Sequence, residues 1–454
     1  MLPRPLRILW GDLSGDEIKK FSILAATLFC IIGIYWMVRV MKDATFDYLV
    51  GFEWQPFAKI ASLIFVGFLV FGYSKLVDIL EKQTLFYLIC SIYMASFLII
   101  SYLVAHPYLT EVTDASILWS IFKFIPGNIL GWILYLLIES FGSIVVALFW
   151  AFVASTTTMA SAKRGYGMIM SCTQFGTIFG PWLVNQYSGI LGIPPLFAIG
   201  GFAIILIPIL IKLYSSVIGY EVVEPQKKQA TGFLEGLRLL LSHSYLMGIL
   251  AVATLYEIIS TILEYQMKML AKTVYPTKLD AGAAMSWFVS WNGMAIGILA
   301  LLFALLGTSF LMRRFGLKFC LITFPATIGI VVSLLFISRN VIGVSQYQLM
   351  WLFFFSMVIT KALNYALNNP SKEVMYIPTS RDVKFKTKGW IDAFGGRSSK
   401  GVGAVVTGSL GESIPTLFLY GTIISLGIVG FWVIIAAFVG NKFVELQETK
   451  EIIE

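Results

Sequence analysis

The chain is poor in the side chains that build metal centres and hydrolytic sites. It has two histidines, His106 and His243, and four cysteines, Cys30, Cys90, Cys172 and Cys320, each alone in an apolar run with no metal or redox spacing. Neither a metal site nor a bound cofactor is expected, and an enzyme would need a nucleophile, an acid and a base or metal grouped together, which this composition argues against. Charge is also scarce. Only 13% of the 454 residues are charged, where soluble proteins have roughly a quarter. No loop is long enough for a soluble catalytic or ligand-binding domain, which disfavours a receptor or scaffold. A cleavable leader is not expected either, because Asp12, Asp16 and Glu17 precede the first apolar run and that run closes on charges.

What is present is apolar length. Hydrophobic residues make up 58% of the chain, and mean hydropathy is +0.84. About twenty residues cross a bilayer as a helix, and Phe21 to Val38 runs uncharged until Arg39, Lys42 and Asp43 arrive together. Further spans are expected near 55–74, 84–105, 129–155, 165–187, 190–214, 244–268, 284–311, 315–338, 348–368, 391–411 and 415–440. The fold class is therefore all-α, a polytopic membrane protein of twelve helices in two pseudo-symmetric six-helix bundles. The bundles are expected over 1–214 and 243–454, joined by a cytoplasmic linker over 215–242 that contains a short amphipathic helix.

Lys and Arg total 33. With both termini cytoplasmic, 22 of them fall on the cytoplasmic side and 4 on the other, so the positive-inside rule fixes that orientation in a cell or inner membrane. These basic loops account for the net charge of +8 through anionic lipid headgroups, without a nucleic-acid partner. Seven remain within or at the edge of spans: Arg39, Lys42, Lys59, Lys268, Lys361, Arg397 and Lys400.

A charge at the centre of a membrane helix costs about 2.5–3.5 kcal/mol on insertion scales, so several of them mark a polar interior. Acidic residues accompany them: Asp43, Glu139, Glu257, Glu264 and Asp392. In the first span Tyr35, Arg39, Lys42 and Asp43 share one helical face, and Arg39 and Asp43 are spaced to pair across a turn. In the seventh, Glu257, Thr261, Glu264 and Lys268 share a face, and Glu264 and Lys268 stand four apart. Glu139 follows two apolar turns and must face a cavity or a cation. Arg397 and Lys400 stand three apart among small residues. GGRSSKG is not a phosphate-binding P-loop, which needs Gly-Lys-Ser/Thr after a strand. Two readings of these charges stand side by side: salt bridges that only tether helices, or a central site between the halves. The surplus of basic over acidic groups points to an anionic substrate.

Six stretches then resemble, in order, the ATP/ADP translocases of plastids and obligate intracellular bacteria: YWMVRVMKD, SKLVDILEKQTLFY, ESFGSIVVALFWAF, AKRGY, EYQMKMLAKTVYP and NNPSKEVMYIPTSRDVKFKTKGWIDAFGGRSSKG. The resemblance covers nearly the whole chain and implies a major facilitator-like fold. It also implies functional charges at Lys42, Glu139, Glu264 and Lys400, with Arg39, Asp43 and Lys268 matching the same pattern. Departures fall at Glu257, where the family has asparagine, Met267 for tryptophan, Gln174 for asparagine, and Asn364 and Asn369 for lysine and aspartate.

The expectation is a monomeric nucleotide transporter that exchanges ATP and ADP by alternating access. Arg39, Lys42, Arg397 and Lys400 would bind phosphates, with Tyr35 and Lys268 in the same site. Glu139 and Glu264 would neutralise the cations when no substrate is bound. Asp43, Glu257, Gln174, Lys361 and Asn364 are coupling or gating candidates. The alternative is proton-coupled import of a nucleotide or another organic anion, with Glu257 carrying the proton.

Overall fold

The computed structural model describes residues 14–110, 125–157, 159–219, 233–276, 282–306, 308–380, 383, 387–388, 390–411 and 413–453. Most of the expected linker (220–232) and the side chain of Asp392 lie outside the described residues.

The apolar runs fold as helices because a bilayer supplies no partner for backbone N–H and C=O groups, and a helix satisfies them internally. The first, α1 (Gly15–Leu49), opens on a capping box: the Ser14 hydroxyl accepts from the Glu17 N–H and the Glu17 carboxylate accepts from the Ser14 N–H. Its 35 residues extend well beyond the hydrocarbon core at 1.5 Å per residue. It is followed by α2 (Gln55–Ile79), with Pro56 in its first turn, α3 (Lys82–Ala105), α4 (Ile129–Thr156) and α5 (Met159–Leu191). Two shorter helices, α6 (Ile193–Ala203) and α7 (Leu206–Ile218), complete the sixth crossing.

After α8 (Phe233–Ser242) come α9 (Ser244–Val274), α10 (Ala283–Leu306), α11 (Thr308–Ile337), α12 (Gln346–Leu363), α13 (Asn369–Met375), α14 (Gly396–Leu410) and α15 (Ile414–Thr449). α11 is broken at Gly316, whose φ of 79° requires a residue without a Cβ. Wider π-helical turns join α12 to α13 (Asn364–Asn368) and lead into α14 (Ile391–Gly395).

Among the described residues ten helices are long and apolar enough to cross a membrane. Two of the twelve expected crossings are not among them, although both stretches are helical. α5 is 33 residues long but carries Ser, Cys, Thr, Gln and five glycines along its length, and α14 is a 15-residue helix entered through its π-helical turn. The protein is a multi-pass membrane protein, and large apolar side chains such as Phe68 and Ile190 point outward.

By their internal contacts the residues fall into two units. One is Met1–Gln226 with Tyr275–Gly297, the other Lys227–Val274 with Ile298–Glu454. In the first, α1 lies against α4, α5 and α7, and its closest approach to α5 is set by glycine: Gly33 faces Gly176 and Gly180 with no side chain between the backbones. The first turns of α10 lie against α5 in the same unit, where Gly293 meets Pro181. In the second, α9 is enclosed by α12, α14 and α15; two thirds of its apolar stretch is buried, the highest share of the ten spans. Gly403 of α14 sits directly on Thr261 and the Ile258 carbonyl of α9. The two helices that carry the first and seventh expected charge sets, α1 and α9, are thus each at the interior of their unit.

Candidate functional site

The charges expected to be functional gather in two clusters, one in each unit. In the first, Lys42 of α1 is 3% exposed. Its ammonium donates to the Glu139 carboxylate of α4 and lies 3.9 Å from Asp43. The same ammonium stands over the Tyr135 ring, 3.8 Å from its centroid. Tyr135 and Glu139 are four apart on α4, so one helical face gives Lys42 both a carboxylate and a π surface. Gln55 of α2 ties the group together, its amide donating to Asp43 Oδ1 and to the Tyr135 hydroxyl, each at 3.4 Å. The guanidinium of Arg39 stacks on Trp36 at 4.8 Å and on Tyr35 at 5.8 Å. Gly142 leaves the space that the Tyr35 ring fills.

The Lys42 ammonium is buried opposite carboxylates. Removing one partner of a buried pair typically costs about 3–5 kcal/mol, because the remaining charge is stranded.

In the second unit Glu264 of α9 takes two ammoniums, one on each oxygen. Lys268, one turn along the same helix, donates at 2.5 Å, and Lys361 of α12 donates at 2.7 Å. Lys268 is buried, while the Lys361 and Glu264 side chains are 14% and 15% exposed. Near the other end of the charged face of α9, Glu257 faces Lys400 of α14 at 3.6 Å, and this pair is more open, with side chains 23% and 48% exposed. Arg397 is half-buried on α14. Lys361 stands just before the π-helical turn, where Asn368 donates to Asn364 at 2.8 Å and both amides are buried. π-helical turns of this kind occur frequently at functional sites.

The i to i+4 pair of Glu264 and Lys268 is as the spacing requires, and Lys42, Glu139, Asp43 and Lys361 are all found in clusters. Gln174 is half-buried on α5, and among the described residues its side chain makes no hydrogen bond to either cluster. Sequence reading missed Tyr135, Trp36 and Gln55. Tyr135 had a signal, its four-residue spacing from Glu139; Trp36, three residues before Arg39, had one too; Gln55 had none. Lys372, counted among loop cations, reaches the Ala253 carbonyl of α9 at 3.2 Å.

The family model described as TLC ATP/ADP transporter matches residues 5–443. The chain belongs to the TLC ATP/ADP transporter family. Among curated relatives of this family member, ADP,ATP carrier protein 1 of Rickettsia prowazekii (strain Madrid E) is 26% identical over 453 residues, covering 88% of this chain and 87% of its own. ADP,ATP carrier protein 4 of Rickettsia felis (strain ATCC VR-1525 / URRWXCal2) is 24% identical over 438 residues, covering 86% and 84%.

Solved structures share the fold of this TLC family member at low identity. A bacterial homologue of the iron transporter ferroportin in an inward-facing state superposes with a TM-score of 0.67 at 12% identity, over 94% of this chain and 100% of that one. A mutant of the nucleoside transporter NupG gives 0.63 at 14% identity, over 93% and 99%. The fold is therefore of the major facilitator type.

Proposed function

We propose that this TLC family member exchanges ATP for ADP across a membrane by alternating access, with lysines and arginines of its helices holding the phosphates. Lys42 and Lys400 contact phosphate, supported by Arg39 and Arg397, and Glu139, Glu264 and Glu257 take up the cations when no nucleotide is bound. The observation that carries the reading is the pairing of Lys42 with Glu139 within the membrane-spanning helices, beside Asp43. The pairing gives exchange a physical basis. Phosphate oxygens replace carboxylates as partners of the ammoniums, and returning without substrate requires the pairs to be restored before the charges pass through a closed state. If one ATP is exchanged for one ADP with a single charge of difference, a potential of 100 mV biases transport by about 2.3 kcal/mol.

In this reading the protein is a transporter rather than an enzyme and works as a monomer. It sits in a cell or inner membrane with both termini cytoplasmic, the side on which its basic loops would meet anionic lipid. A second reading, proton-coupled import, is favoured by the partly open Glu257–Lys400 pair, in which the carboxylate lies 3.6 Å from its lysine and is 23% exposed.

The test is uptake of radiolabelled ATP into proteoliposomes preloaded with ADP or with buffer alone, with and without a proton gradient. Uptake that needs internal nucleotide and is lost in Lys42→Ala and Glu264→Ala supports exchange. Uptake into vesicles without internal nucleotide that follows the proton gradient and is lost in Glu257→Gln selects the second reading.

A further inference from the structure

We propose that Trp36 is the side chain on which the base of the nucleotide stacks, so that the substrate lies along α1 with its base at Trp36 and its phosphates toward Lys42. The proposal rests on the nucleotide-exchange reading and adds to it the residue that recognises the base.

Along α1 the aromatic pair Tyr35 and Trp36 comes first, the guanidinium of Arg39 next and the ammonium of Lys42 last. Trp36 and Lys42 are six residues apart, which at 1.5 Å per residue is about 9 Å of helix. Steps of three residues keep neighbours on one side of a helix, so Arg39 adjoins both Trp36 and Lys42. An aromatic face, a guanidinium and an ammonium thus follow one another in the order of the groups of a nucleotide: a flat base, the phosphate nearest the sugar, and the terminal phosphates.

The two rings are positioned by glycines of neighbouring helices. A Cβ at Gly293 of α10 would lie 3.6 Å from Cζ3 of the Trp36 indole and 3.3 Å from the Pro181 ring of α5, so the indole edge is seated where α1, α5 and α10 meet. Gly142 of α4 makes room for Tyr35 in the same way. Trp36 is half-buried, and its ring already carries a flat stacking group, the Arg39 guanidinium, 4.8 Å from the ring centre. A guanidinium and a nucleobase are both planar and both stack on an indole, the first through its charge and the second through its π face. When phosphate draws Arg39 toward it, the base takes the indole face that the guanidinium covers, and the ring keeps a stacking partner in both states. The phosphates then extend along the helix toward Lys42.

The experiment measures dissociation constants of ATP, ADP and tripolyphosphate on the purified full-length protein, alongside ATP uptake in proteoliposomes. In Trp36→Leu, ATP and ADP both weaken about tenfold, the scale of one lost base–aromatic stack, while tripolyphosphate changes less than about twofold. Trp36→Phe keeps a ring and holds ATP within about threefold of the native value. Photolabelling of the native protein with an ATP that carries an azide on its adenine ring gives the reading if the variants do not fold: the adduct falls on Trp36 or on residues of α1, α5 and α10 beside it.

Equal losses of ATP and tripolyphosphate in Trp36→Leu overturn the proposal, as does an ATP loss in Trp36→Phe as large as that in Trp36→Leu, or an adenine adduct elsewhere in the chain. If the native protein exchanges nucleotides and Trp36→Leu binds ATP as tightly as the native chain, the inference fails and the exchange reading stands. If ATP binding depends on Trp36 but uptake requires no internal nucleotide, the exchange reading fails and the inference stands.

Discussion

The ammonium of Lys42 lies 3.8 Å from the centre of the Tyr135 ring while it donates to Glu139, one turn further along the same helix. A face of α4 thus offers one cation both a carboxylate and an aromatic surface, inside a span where an unpaired charge is expensive. The tyrosine hydroxyl is in turn held by Gln55, which also fixes Asp43.

Replacing Tyr135 separates these contributions. Tyr135→Phe keeps the ring under Lys42 and loses the hydroxyl's contact with Gln55, so thermal stability in detergent is expected to fall little. Tyr135→Leu removes the cation–π contact as well and is expected to destabilise by a further ~1–2 kcal/mol. Equal melting temperatures for the two variants would show that the ring contributes nothing to holding Lys42.

The pair of Lys42 and Glu139 is expected to show strong coupling. Glu139→Gln leaves the buried ammonium with Asp43 as a carboxylate neighbour at 3.9 Å and costs up to about 3–5 kcal/mol, whereas the double change Lys42→Met with Glu139→Leu, which removes the Lys42–Glu139 pair, recovers part of that stability. Exchange remains absent in the double variant, because stability has returned in part without the phosphate-binding cation. A double variant that transports would remove Lys42 from the site.

Glu257 and Lys400 should behave more mildly. They are 3.6 Å apart and partly exposed, and pairs of that kind contribute about 0–1 kcal/mol. Glu257→Gln removes the carboxylate charge that faces Lys400 and competes with phosphate, so the apparent KM for ATP is expected to fall by up to about fivefold while turnover slows as release becomes harder. Steady-state exchange kinetics in proteoliposomes check both directions; a rise in KM would mean that Glu257 itself contacts substrate.

The contact of α1 with α5 gives a purely steric prediction. A Cβ at Gly180 would come within 2.8 Å of the Met37 nitrogen and would also meet the Gly33 carbonyl, both backbone atoms that cannot turn aside. Gly180→Ala is therefore expected to lower stability by about 1–3 kcal/mol, an overpacking cost. Gly189, with open space around its Cβ position, serves as the control on the same helix, and Gly189→Ala should change the melting temperature little.

Much of this was legible along the chain. Charges inside apolar spans announced a polar interior, and the four-residue spacing of Glu264 and Lys268 predicted their bond. The spacing of Tyr135 and Glu139 was equally available, but in a chain with 15% aromatic residues such a spacing is a weak signal until a cation is found beside the ring. Two expected crossings, 165–187 and 391–411, are less apolar than the others because glycines and polar residues stand where helices meet closely, as Gly176 and Gly180 of α5 and Gly403 of α14 do.

The sequence by itself determined the membrane helices, the charges inside them and the pairings within a single helix, because 3.6 residues per turn fixes which side chains share a face. Only the tertiary structure decided that Lys42 meets Glu139, 97 residues away, and that Lys361 shares Glu264 with Lys268. Those partners depend on which helices lie side by side and at what height, and small residues such as Gly33 and Gly403 set that approach through packing between helices rather than any pattern along one.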